Sequence, residues 1–316
     1  LTTGTAELAI STRGLRRTYR NRKGRQVAVQ GLDLDVPLGG VHGFLGPNGS
    51  GKTTTIRMLL GLVRADSGTM TVLGHDVPKQ LPEVLGRVGA IVEAPKFFPA
   101  FTGRKNLQLL AEAIGRPRGL VDQVLEQAGL GDRGKDRYHS YSLGMRQRLA
   151  IAATLLKEPD LLIFDEPING LDPAGIREIR NTMRSLGEQG KTVLVSSHIL
   201  DEVEQVADTV SIIGHGRLLA WGPVADVIGD QTAISMRVGV ADLVAAQRIL
   251  TDGGLVVRQE SGLLVVLGVT DGAQITQRLA THDLYVNELT PIHADLESVF
   301  LELTADEGLE TAGAVR

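Results

Sequence analysis

The sequence predicts an α/β chain in two parts: a larger region built on a buried parallel sheet with helices, then a small α+β domain. Three observations predict this. The apolar run Val41–Leu45 leads through a glycine-rich turn into a helical stretch, Thr53–Leu62. A second apolar run, Leu161–Phe164, ends in two adjacent carboxylates, Asp165 and Glu166. That is the pattern of a strand buried on both faces that delivers polar groups to its C-terminal edge. The charge balance then changes near Trp221-Gly222-Pro223. Residues 227–316 carry 13 Asp and Glu against 5 Arg and no Lys, a net of −8, whereas residues 1–226 carry 24 acids and 28 bases, a net of +4. Domains are therefore expected at 1–225 and 226–305, with a flexible tail over 306–316.

Composition removes several function classes. The chain has no cysteine, which excludes disulfides, iron–sulfur clusters and zinc–cysteine sites and fits a reducing compartment. Aromatics at 3 % are too sparse for a base-stacking platform on single-stranded nucleic acid. No stretch approaches the roughly 20 apolar residues of a membrane span, and the N-terminus lacks the basic-then-apolar pattern of a signal peptide. Any role at a membrane must come through a partner.

Taken in order, Leu8–Tyr19 and Val27–Val36 read as strands around the polar turn Asn21–Gly24. Arg13–Arg25 holds seven bases and no acid and reads as a solvated edge hairpin rather than a nucleic-acid patch. Tyr19 serves equally for core packing or for stacking on a base. The turn Gly46-Pro47-Asn48-Gly49-Ser50-Gly51-Lys52-Thr53, followed by Thr54, fits G-x-x-x-x-G-K-[ST] at every fixed position. Its glycines let backbone N–H groups close on phosphate oxygens at a helix N-terminus. Lys52 would reach the β- and γ-phosphates, and the Thr53 hydroxyl would take a Mg2+ position. A nucleoside triphosphate is the ligand this implies.

Glu93 follows the strand-like Val88–Val92 and, with Pro95 and Pro99 nearby, reads by itself as an ordinary loop carboxylate. Apolar residues at helical spacing over 103–131 suggest a helical subdomain, about 100–158, inserted into the α/β core. Tyr141-Ser142-Leu143-Gly144-Met145 opens the apolar helix Leu149–Leu156, with Ser142 as N-cap and Gly144 leaving the first turn bare, a weak anion-site signal alone. Asp165 is assigned to Mg2+ and Glu166 to polarising the attacking water, since adjacent carboxylates ending a buried strand are costly without a cation or a reaction. Pro173–Leu186 reads as a helix and Thr192–Ser196 as a strand leading to His198. Three strand ends thus each lead into a polar group, which points His198 toward the terminal phosphate. Thr209–Ile213 and Leu218–Trp221 close the region.

Beyond it, Ala233–Val238, Ala241–Leu250, Leu255–Arg258, Leu263–Leu267, Ala273–Ala280 and Leu284–Leu289 give the order βαββαβ, a ferredoxin-like unit, with a closing helix at Ala294–Leu303. His282 and His293 lie there without metal-ligand spacing.

With these motifs in this order, the first roughly 225 residues resemble the ATP-binding cassette ATPases. Gly46–Thr53 is similar to the Walker A motif, Leu161–Glu166 to Walker B with its catalytic glutamate, and Ser142–Met145 to the family signature, usually LSGGQ. Gly170-Leu171-Asp172 resembles the D-loop, His198 the switch histidine and Tyr19 the adenine-stacking aromatic. The resemblance implies a RecA-like core, an antiparallel β subdomain and a helical subdomain. It also implies ATP with Mg2+, Asp172 in the nucleotide-binding set, and Glu93 at the Mg2+-sensing loop that contacts a membrane subunit. Two cassettes pair on ATP, so that the signature of one closes on nucleotide held by the other. Leu143, Met145, Glu93, Ile168 and Asn169 depart from the common residues. The first three departures and the C-terminal extension, with Leu296–Leu303, resemble the bacitracin-, lantibiotic- and daunorubicin-type exporter branch. The expectation is an exporter ATPase docked on a permease at the cytoplasmic face of the membrane, without nucleic acid. An importer ATPase, or a soluble cassette protein acting in translation or DNA maintenance, are the alternatives.

Overall fold

The computed structural model describes residues 7–21, 24–93, 96–229, 235–260, 262–269, 271–292, 295–301 and 303. The tail 306–316, His293, Pro95, Arg22 and Lys23, and parts of the strand at 233–238 and the helix at 294–303, lie outside the described residues. The chain divides into two compact units, the first ending at Val224 and the second spanning Ala225–Glu302.

The first unit opens with β1 (Leu8–Asn21) and β2 (Gly24–Pro37), then β3 (Gly40–Leu45), α1 (Lys52–Leu59), β4 (Ser67–Val72) and β5 (His75–Asp76). The chain continues through α2 (Leu81–Val84), β6 (Val88–Ile91), α3 (Gly103–Ala113), α4 (Leu120–Gln127), α5 (Leu143–Leu155), β7 (Leu161–Asp165) and α6 (Pro173–Glu188). It closes with β8 (Thr192–Ser197), α7 (Leu200–Glu204), β9 (Thr209–Gly214), β10 (Arg217–Pro223) and α8 (Val224–Ile228), which crosses the boundary. One sheet has the order β2-β1-β4-β5 and is antiparallel. The other runs β10-β9-β3-β8-β7-β6, parallel except at β10. Ile56, Met58 and Leu59 of α1 share a core with Phe44, Leu161, Ile163 and Leu194 of the parallel sheet and Ile10, Leu32 and Val72 of the antiparallel one. Each such side chain contributes about 1.5–3 kcal/mol of burial, so α1 is held from both sides.

Two expectations change. Helix α1 stops at Leu59 rather than Leu62, because Gly61 turns the chain left-handed at φ 69°. The strands β4 and β5 and the short helix α2 have no counterpart in the sequence reading. In β4, Ser67-Gly68-Thr69 is exposed and only Met70 and Val72 are buried, so no apolar alternation marks it.

The second unit holds β11 (Ser235–Val240), α9 (Leu243–Asp252), β12 (Val256–Glu260), β13 (Leu263–Leu267), α10 (Gly272–Ala280) and β14 (Val286–Ile292). Its sheet, β12-β13-β11-β14, is antiparallel throughout, the arrangement of a ferredoxin-like split unit. Val238, Leu264 and Val266 pack with Ala246 and Leu250 of α9 and Ile275 and Leu279 of α10. Residues 296–301 are helical.

Candidate active site

The parallel register sets Phe44, Ser196 and Asp165 side by side on β3, β8 and β7. The three strand ends picked out in the sequence are therefore neighbours at one sheet edge, where open α/β sheets place ligands. From β3 the chain turns at Gly46, whose N–H donates to the Ser197 carbonyl at 3.3 Å. It enters α1 through Gly51 at φ 107°. A Cβ on Gly51 would sit 2.5 Å from the Ala28 carbonyl oxygen, so the fold itself demands glycine there. No side chain caps α1 and no acid lies in its first turn. Its free N–H groups and positive dipole end are available to an anion.

Lys52 is buried, with 5 % of its side chain exposed, and its ammonium has three acceptors. It donates to the carbonyls of Gly46 at 2.6 Å and Pro47 at 3.2 Å, and pairs with Glu166 Oε1 at 3.2 Å. The other oxygen of Glu166 accepts from His198 Nδ1 at 2.7 Å. Because an ionised carboxylate only accepts, this bond fixes the proton on Nδ1. Glu166 also sits at φ 51°, a left-handed conformation uncommon for a side chain of this size. Strain of this kind gathers at functional sites, and here the cation and the imidazole hold the carboxylate in place.

Ser196 is a site residue that the sequence reading passed over. Its buried hydroxyl donates to Asp165 Oδ1 at 2.5 Å and accepts the Glu166 N–H at 3.0 Å. One side chain thus holds the Asp165 carboxylate and the backbone of Glu166. The available signal was two serines ending an otherwise apolar buried strand.

A cavity of about 450 Å3 brings together Tyr19, Asn48, Gly49, Gly51, Lys52, Thr53, Thr54 and Glu166. Gln26 and Ala28 of β2 line it too. Tyr19 is therefore a half-buried wall of the phosphate-loop cavity rather than a core residue. Ser50 is 3 % exposed, and its hydroxyl is buried without a partner. That hydroxyl would lie 2.8 Å from a Cβ on Gly46, and Ser50 does not line the cavity. Among the described residues, no three His, Asp or Glu side chains assemble a metal site. Thr53 with the Ser196-held Asp165 still suits Mg2+, which takes one or two protein oxygens beside phosphate and water.

Ser142, Gly144, Asp172 and Glu93 do not line this cavity. Ser142 caps α5, its hydroxyl accepting from Met145 N–H at 3.2 Å. Asp172 caps α6, its carboxylate accepting from Gly175 N–H at 3.0 Å. Glu93 pairs with Arg57 at 3.0 Å and keeps 80 % of its side chain exposed. Arg57 supplies its charge partner, and nothing brings it to Thr53 or Asp165. No helix among the described residues is long and apolar enough to cross a membrane.

Comparison with known proteins identifies the arrangement. Residues 29–169 match the family described as ABC transporter. The ABC transporter ATP-binding protein YhcH of Bacillus subtilis, itself uncharacterized, is 38 % identical over 92 % of this chain and 95 % of its own. The bacitracin transport ATP-binding protein BcrA of Bacillus licheniformis is 48 % identical over 66 % of this chain and 68 % of its own. The daunorubicin/doxorubicin resistance ATP-binding protein DrrA of Streptomyces peucetius is 36 % identical over 94 % and 92 %. Among solved structures, cbiO1 of Clostridium perfringens, part of the ABC transporter complex cbiONQ, matches with a TM-score of 0.63 at 25 % identity, over 78 % of this chain and 95 % of that one. The dimeric bacterial cassette MJ0796 shares the fold, with a TM-score of 0.61 at 21 % identity over 68 % and 99 %. A phosphate loop, a strained glutamate held by its lysine and a nucleotide-sized cavity thus sit in a chain that belongs to the ABC transporter ATP-binding proteins, and it is an ATPase.

Proposed function

We propose that this chain powers an exporter of drugs, antibiotics or peptides, that two copies close head to tail on ATP, and that a membrane permease receives the resulting motion. The carrying observation is the convergence of Lys52 and His198 on Glu166 at the phosphate-loop cavity. The names of the bacitracin and daunorubicin relatives support the cargo class. The dimeric neighbour supports the pairing. The exposed Ser142 at the start of α5, outside the cavity, supports Ser142 and Gly144 serving the other copy's nucleotide. Docking is peripheral, at the cytoplasmic face of the membrane through the permease, with no nucleic acid involved.

The chain's own groups divide the work. Tyr19 offers its ring to the base. Asn48, Gly49, Gly51 and Thr54 surround the phosphates, and Lys52 exchanges its Glu166 contact for phosphate oxygens. Glu166, released from Lys52 and still held by His198, orients a water and takes its proton. Thr53 and Asp165 would hold Mg2+, which would supply charge neutralisation on the phosphate oxygens. The test is Glu166→Gln. It should bind ATP, lose about a thousandfold in turnover, and accumulate as a dimer by size-exclusion chromatography with ATP. Wild-type turnover in that variant would remove Glu166 from the role.

A further inference from the structure

A second cavity, about 660 Å3, lies on the far side of Tyr19, lined by Arg16, Arg17, Arg20, Arg25 and Asp66 together with Thr18. Its origin is topological. The last pair between β1 and β4 is Arg16 with Ser67, so beyond Arg16 one edge of β1 lies open. The charge there is unbalanced. Asp66 is fully engaged, with Oδ1 on Arg17 Nη1 at 2.9 Å and Oδ2 accepting the Thr18 N–H at 2.6 Å. Among the described residues, Arg16, Arg20 and Arg25 have no acidic partner. Arg20 and Arg25 stand directly opposite in the β1–β2 register, where like charges repel across the pair. The Arg17 guanidinium is turned inward instead, over the Tyr19 ring at 4.9 Å from its centroid. Tyr19 is the one residue common to this cavity and the nucleotide cavity, and no phosphate-loop residue reaches it.

We propose that this cavity is a second anion site, which takes a multiply charged phosphate group between Arg20 and Arg25. A dianion there turns the cross-strand repulsion into charge-assisted, bidentate hydrogen bonds. The site is separate from the phosphate loop, because its donors are guanidinium groups on a hairpin rather than helix amides. Two natural sources share this chemistry: a soluble phosphorylated molecule and the headgroup of an anionic lipid.

The experiment uses the full chain carrying Lys52→Ala, which disables the phosphate loop, titrated with tripolyphosphate in metal-free buffer by calorimetry. One tripolyphosphate should bind per chain, and adding Arg20→Glu should weaken it at least about tenfold. Arg20→Glu also places opposite charges across the hairpin, so its melting temperature should equal or exceed that of its parent, and lost binding cannot be laid to misfolding. Phosphatidic acid, a phosphomonoester, supplies a multiply charged headgroup, and flotation on its vesicles that Arg20→Glu abolishes assigns the source to a lipid headgroup. Tripolyphosphate binding without flotation assigns it to a soluble molecule. No binding in either assay, or binding indifferent to Arg20→Glu in both, overturns the proposal.

Discussion

Two helix starts in the cassette show how differently one chain can treat the same structural feature. Helix α1 begins without a side-chain cap, over a buried lysine, inside a cavity built from its own strands. Helix α5 begins with Ser142 spending its hydroxyl on its own Met145 N–H, exposed and outside that cavity. Their glycines differ in the same sense. Gly51 has a left-handed φ and a carbonyl 2.5 Å from where a Cβ would stand, whereas a Cβ on Gly144 would meet only the Gly175 Cα, at an ordinary 3.6 Å. The first start is glycine by demand of the fold. The second has room for a methyl group, so its own surroundings do not demand glycine. That contrast is what a site divided between two copies would leave in each copy.

The strongest way to break the comparison is to mix two disabled chains. Glu166→Gln removes the water-orienting carboxylate, and Ser142→Arg fills the α5 start. Each alone should lose nearly all hydrolysis. Mixed in equal amounts, half of the dimers carry both chains, and each of those has one of two composite sites intact. Activity should return to about a quarter of wild type, by the symmetry of paired sites. If a single chain held a whole site, mixing would restore nothing.

A smaller effect separates the two glycines. Gly51→Ala meets the Ala28 carbonyl and a forbidden φ, and should cost about 1–3 kcal/mol of unfolding free energy. Gly144→Ala lies within a helix, where alanine is favoured over glycine by about 1 kcal/mol. It should therefore melt no lower than wild type, yet hydrolyse ATP more slowly. Differential scanning calorimetry and a phosphate-release assay read both. Equal destabilisation by the two substitutions would erase the distinction.

The sequence exposes these two starts unequally, for physical reasons. The phosphate loop was legible because chemistry fixes residue types at fixed spacing, and the apolar runs on either side place it between a strand and a helix. The three strand ends were legible by the same logic, since Leu45, Phe164 and Ser196 each end an apolar run, while their register is visible only in the fold. Ser196 was missed because a buried serine bonded to one carboxylate and to the next residue's backbone N–H has no pattern along the chain. The strand β4 was missed because its pairing with β1 is long-range and its first three residues are exposed. Tyr19 stayed ambiguous because only the folded register brings a residue of the first hairpin to the loop thirty residues later. The Arg57 partner of Glu93 likewise comes from another segment of the chain.

The smallest expected effect probes the platform under α1. His42 on β3 is 2 % exposed and lies between Thr209 Oγ1 at 2.7 Å and Ser211 Oγ at 2.9 Å. Burial holds its pKa down to about 3 from an ordinary 6.5. The folded chain keeps this imidazole neutral, while the unfolded chain takes up a proton below about pH 6.5. Stability from this group is therefore complete above pH 6.5 and is lost as pH falls toward 3, at about 1.4 kcal/mol per unit. Between pH 7.5 and 5.5 the wild type should lose about 1.4 kcal/mol more than His42→Gln, as read by urea denaturation at each pH. His42 pairs with β8 and β9 four residues before the turn at Gly46, so the stability its neutral form supplies is that of the strand carrying the phosphate loop. A matching loss in both proteins would place the acid sensitivity elsewhere and leave β3 as an inert support.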